Sequence, residues 1–171
     1  MKTTRIFAFV ILLLSFTSMS AFAQDARETS IVLGGGVMDY DLSGTGKAPV
    51  FAARVTRDLG ASFVFEGGLA FAKPEQQFGP STLWAPEALL QYQLPVGRFT
   101  PYLGAGIGAI RESGDAIETD WTPTVVFAGG SRVNLNDRVG LFGELRIRGI
   151  DWDFVGTTAD ITGGLAIRLG R

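Results

Sequence analysis

The 171-residue chain contains neither cysteine nor histidine, which removes disulfides, thiolate metal sites and the commonest general base together. Its formal net charge of −2 argues against nucleic acid as a partner. With 23 glycines, 46% hydrophobic and 19% charged residues and no sustained helical period, the chain reads as nearly all β.

The N-terminus reads as an export signal. Lys2 and Arg5 form a positive start, Ile6 to Leu14 an apolar run, and Ala21-Phe22-Ala23 a small-x-small cleavage site. A membrane anchor fits less well, because the apolar run is about half of the ~20 residues that span a bilayer. Cleavage after Ala23 is expected to leave residues 24–171 as one domain, more acidic than the precursor because Lys2 and Arg5 depart with no acid.

From residue 28 onward one pattern recurs: about ten residues of alternating character, then a turn. In Ser62–Ala72 the odd positions are Phe63, Phe65, Gly67, Leu69 and Phe71, and the even ones are small apart from Val64 and Glu66. The pattern predicts eight strands, at about 29–40, 50–58, 62–73, 83–94, 99–111, 121–135, 139–150 and 157–170. The joins Leu59-Gly60-Ala61, Pro95–Arg98 and Asn136-Asp137-Arg138 are tight turns by composition. Those at 41–49, 74–82, 112–120 and 151–156 are longer. Trp84, Trp121 and Trp152 fall beside the long joins, and Phe63, Tyr92 and Phe99 beside the short ones. Two aromatic belts flanking an aliphatic band suit the two water–lipid interfaces.

Alternation alone does not say which face is inside; the export signal and the aromatic belts settle it by placing the wall in a membrane. Glu87, Arg132, Glu144, Arg146, Asp160 and Arg168 sit opposite the aliphatic positions. An arginine facing lipid at the midplane costs ~2–4 kcal/mol, so the charged face turns inward. Only a closed barrel satisfies its backbone in lipid. The expected fold is therefore an all-β, eight-stranded antiparallel up-and-down transmembrane β-barrel, with short turns and both termini on the periplasmic side.

Phe99-Thr-Pro-Tyr-Leu-Gly-Ala-Gly-Ile-Gly-Ala109 resembles a strand that recurs in the small eight-stranded outer-membrane barrels, the OmpA/OmpX and opacity-protein group. Residues 128–146, a Gly-Gly strand running through an Asn/Asp turn to Glu-Leu-Arg, resemble that family's next hairpin, and residues 163–170 its closing strand. The likeness implies a location in the outer membrane among lipid and lipopolysaccharide, and insertion by the outer-membrane assembly machinery. Two departures count: the chain ends in Arg171 where many members end in an aromatic residue, and it shows no second, peptidoglycan-binding domain, so a cell-wall tether is not expected.

Nine inward charges form the candidate site: Arg54, Glu66, Glu87, Arg132, Glu144, Arg146, Arg148, Asp160 and Arg168. Counted up from the nearest short turn, Arg54, Glu66, Arg132, Glu144 and Arg168 share one depth, and Glu87, Arg146, Arg148 and Asp160 a higher one. Arg132 and Arg168 then lie nearest Glu144. Paired arginines and carboxylates satisfy one another inside a barrel whose interior side chains just fill. A plug is favoured over a gate or narrow pore. The inward glycines 104, 106 and 108 make room for long side chains; without a following helix they are no phosphate cradle.

Enzymatic activity is not expected. The small-barrel enzymes of this membrane resemble one another in relying on histidine, and the pair Asp151/Asp153 has no nucleophile at a suggestive spacing. No cofactor and no metal are expected. The outer rim is acidic (Asp39, Asp41, Glu75, Glu112, Asp115, Glu118, Asp120, Asp151, Asp153) against Lys47, Lys73 and Arg111. Solvated loops explain it better than divalent-ion sites, since no Asp-x-Asp-x-Asp-Gly loop occurs. Three roles remain: a structural or surface-interaction protein with an unidentified surface ligand, a narrow channel, and a soluble periplasmic barrel that binds an apolar ligand as lipocalins do.

Overall fold

The computed structural model describes residues 28–40, 46–76, 79–114, 120–151 and 156–169. The export segment, Trp152 and several acids of the outer rim (Asp41, Asp115, Glu118, Asp153) lie outside the described residues. Eight long strands make the wall: β1 Thr29–Asp39, β2 Lys47–Gly60, β3 Phe63–Ala72, β4 Gly79–Gln93, β5 Phe99–Gly114, β6 Thr122–Asn134, β7 Val139–Ile150 and β8 Gly156–Arg168. Each pairs antiparallel with its sequence neighbours, and β1 pairs with β8, so the sheet closes on itself. A two-residue piece, Glu75–Gln76, extends the ladder against Pro80 and Gly79.

Alternation sets the two faces along every strand. On β2, Phe51 and Val55 are exposed while Ala52, Arg54 and Thr56 are buried; on β7, Leu145 and Ile147 are exposed while Glu144, Arg146 and Arg148 are buried. The aliphatic face is thus the outer one. The lipocalin-like alternative, with its greasy face inside, does not describe this wall.

Several strands outrun the sequence expectation at the loop end. β2 starts at Lys47 rather than 50, β4 at Gly79 rather than 83, and β5 continues to Gly114 rather than 111. Backbone pairing persists there after side-chain alternation has faded: Ser81 pairs with Gly114 and Leu83 with Glu112. Proline interrupts it once. The β4–β5 ladder passes from Trp84↔Arg111 to Glu87↔Gly108, because Pro86 has no amide proton to give.

The first short turn lies one residue later than the composition suggested. Gly60 pairs with Phe63, so Ala61 and Ser62 form the two-residue tip, with φ of 50° and 71°. A hairpin of this kind needs positive φ at both tip residues, a conformation that non-glycine side chains resist. The aromatic belts are visible on either side of the band. Phe63 and Tyr92 meet at 5.4 Å at the turn end, while Trp84 and Trp121 are exposed toward the loop end.

Candidate functional site

The lumen divides into two zones. Toward the loop end it is apolar, filled by Met38, Val50, Leu83 and Ile110 among small alanines. Below it on β2, β3 and β4, and level with it on β7 and β8, where Asp160 pairs with Met38, lies a bundle of ionised side chains, with a smaller apolar cluster of Val32, Phe142 and Ala166 nearer the turns.

Arg146 is its centre. Its guanidinium donates to Glu144 at 2.9 and 3.1 Å, to Glu66 at 2.6 Å, and to Glu87. Arg148 donates to Glu87 and, with two nitrogens, to Asp160, one of these contacts at 3.0 Å. Arg54 forms ion pairs with Glu144 at 3.1 Å and Glu66 at 3.8 Å. Neutral groups complete the set: Tyr102 donates to Glu144 at 3.0 Å and Gln91 to Glu66 at 2.7 Å. Three guanidinium groups thus face four carboxylates, and Arg148 and Asp160 are fully shielded from solvent, at 0% exposure.

Four of these contacts cross the barrel. β7 stands opposite β3 and β4 in the ring, so the pairs from Arg146 and Arg148 to Glu66 and Glu87 tie facing walls together. Small residues create the space. A Cβ at Gly68 would come within 2.6 Å of Arg54 Cγ, and one at Gly130 within 2.8 Å of the Tyr102 hydroxyl that reaches Glu144.

Seven of the nine candidate charges join this bundle, and two do not. Arg168 pairs with Glu28 at 2.9 Å and donates to Asn134 at 2.9 Å. The Arg132 Nε is buried without a hydrogen-bond partner. The neighbours of Glu144 are therefore Arg54, Arg146 and Tyr102, not Arg132 and Arg168. Depth counted from each turn ignores the stagger between strands: Arg132 registers with Phe142, a step nearer the turns than the Glu144↔Gly130 pair. The two expected tiers are also one, since Arg146 bonds to carboxylates of both. Tyr102 and Gln91, the neutral members, carry no charge to flag them, although their parity along the strand places them inward.

Of the rim acids, Asp39 ends its strand as expected, and Glu112 is taken into a strand that runs past the expected 111. There Glu112 accepts a hydrogen bond from Ser81 Oγ. Among the described residues no group of three or more acids is placed to hold a metal ion.

A closed wall with an aliphatic exterior, aromatic belts and a charged interior is the architecture of an outer-membrane barrel. The chain belongs to the family of the outer membrane protein beta-barrel domain, whose model matches residues 9–168. In structure it is similar to Neisserial surface protein A, with a TM-score of 0.68 at 12% identity over 85% of this chain and 98% of that one. The N-terminal barrel domain of OprF from Pseudomonas aeruginosa gives 0.59 at 10% identity, over 84% and 99%. The attachment invasion locus protein Ail of Yersinia pestis gives 0.53 at 12%, over 84% and 97%. At these identities the likeness establishes the fold alone. No curated protein is similar enough in sequence to count as a relative.

Proposed function

We propose that this chain is a closed structural or surface-interaction protein of the outer membrane, whose lumen is plugged by the Arg–carboxylate bundle. It is exported by a signal peptide removed after Ala23, inserted by the outer-membrane assembly machinery, and surrounded by phospholipid and lipopolysaccharide. It performs no catalysis and takes no cofactor. The observation that carries the plug is Arg146, one guanidinium held by carboxylates from β3, β4 and β7. Side chains that span an eight-stranded lumen and bond to the far wall leave a solute nothing to displace without breaking a buried ion pair.

Planar-bilayer recording of the folded chain tests this. The expected result is no steady current, and substitution of Glu144 by Gln should then lower stability rather than change ion selectivity. A steady open-channel current from the unmodified protein would favour the narrow-channel reading instead.

A further inference from the structure

One inward cation is left without an answering charge. Arg132 turns into the lumen near the end of β6, across from the buried Thr100. Its Nε is screened from solvent and has no hydrogen-bond partner. A guanidinium held away from water is costly unless something pairs with it. The carboxylates described at this end of the barrel are committed or point away. Glu28 is paired with Arg168, Asp58 Oδ1 accepts from the Gly60 amide at 3.3 Å, and Asp137 is exposed at the tip of the β6–β7 turn.

The place where Arg132 lies is the turn-side mouth of the lumen. From β8, Arg168 reaches past β7 to donate to Asn134 Oδ1 at 2.9 Å, and on its other side it pairs with Glu28 at 2.9 Å. Arg132 is the next inward residue below Asn134, so this strap crosses the mouth just outside it. Glu28 is thereby turned toward the lumen, near enough for its charge to be felt at Arg132. The β1 ladder begins at Thr29, so strand alternation no longer governs the residues that precede Glu28.

Four residues, Gln24-Asp25-Ala26-Arg27, separate the expected cleavage site from Glu28. Asp25 carries their only side-chain carboxylate, and residues 170–171 beyond β8 carry none. Along the wall β1 stands three spacings of about 4.8 Å from β6. Three extended residues span about 10 Å, and the Asp and Arg side chains close the remainder. We infer that residues 24–27 fold across the periplasmic mouth and that the Asp25 carboxylate accepts a hydrogen bond from the Arg132 guanidinium. The segment is then a second closure of the lumen, made by the chain's own leading residues. It rests on the proposed cleavage after Ala23 and is independent of whether the ionic bundle plugs the barrel.

NMR of the folded barrel in lipid nanodiscs, read at the Arg132 Nε–H, tests the contact. Asp25→Asn should speed solvent exchange of that proton by about tenfold or more, the loss of a hydrogen bond between charged groups. The same substitution should lower the urea midpoint of the parent and leave that of an Arg132→Gln barrel unchanged. The exchange measurement keeps Arg132 in place, so it stands even if the Arg132 variant does not fold. Equal exchange in Asp25→Asn and parent would overturn the contact. Protection that appears in the parent only on adding inorganic phosphate would assign the site to a free anion instead. Intact mass separates the two readings. A membrane-extracted barrel that still carries residues 1–23 would overturn cleavage and contact together, whereas a barrel that begins at Gln24 and is indifferent to Asp25→Asn would overturn the contact alone.

Discussion

The two halves of the lumen solve the same problem with opposite chemistry. Near the loops, Met38, Val50, Leu83 and Ile110 fill space among alanines as they would in a soluble core. Across the middle of the lumen and up the β7–β8 side, space is filled by Arg54, Arg146 and Arg148 bonded to four carboxylates. Apolar packing forgives small changes of shape, but each side chain contributes only its own burial. The ionic half is less tolerant. Its charges were costly to desolvate, and removing one strands the partners it leaves behind. The apolar half should therefore fail gradually, and the ionic half abruptly.

Substituting Arg146 by Met keeps much of the side-chain volume and removes the central cation. The expected loss is about 3–5 kcal/mol, the cost of leaving buried charges uncompensated, read as a shift of the urea midpoint for unfolding from liposomes. Leu83→Ala probes the other half. It should cost about 3 kcal/mol through the cavity it leaves, without raising conductance, because the ionic layer beneath still closes the lumen. A current in the Leu83 variant would move the seal to the apolar half. Within the bundle, Arg54→Met combined with Glu144→Gln should cost less than the sum of the single changes, by about 1–2 kcal/mol. Strict additivity of the pair would show that the two groups act independently. A change remote from both halves sets the scale. Replacing Ala61 and Ser62 by Asn and Gly, which suit the positive φ of that hairpin tip, should stabilise the barrel by about 1 kcal/mol, measured in the same titration. No gain would mean that the tip is relaxed in solution.

Much of this wall was legible in the sequence because a strand has a side-chain period of two. Once Phe63, Phe65 and Leu69 are assigned outward, Glu66 must point in, and the same parity places Arg146 inside beside an outward Leu145. Which inward groups meet was not legible. Pairing across a barrel depends on the tilt and stagger of the strands, and no count along one strand contains them. Arg54, six residues before the end of β2 at Gly60, therefore reaches Glu144, while Arg132, two before the end of β6 at Asn134, does not. The apolar half was missed for a different reason. At the loop end of β2, Val50 and Phe51 are adjacent and both hydrophobic, so alternation no longer separates the faces there, although Val50 is buried and Phe51 exposed.

The placement of the bundle also bears on the order in which the barrel comes together. Arg148 with Asp160, and Arg146 with Glu144, are bonded within the C-terminal β7–β8 hairpin, so half of the charge can be neutralised before the rest of the wall is in place. The bonds to Arg54, Glu66 and Glu87 wait until β2, β3 and β4 have come round to face that hairpin. Interactions formed after the transition state act chiefly on the rate of unfolding. The cross-lumen pairs are thus a latch fastened after closure, and they make the assembled barrel slow to open more than they make it quick to form.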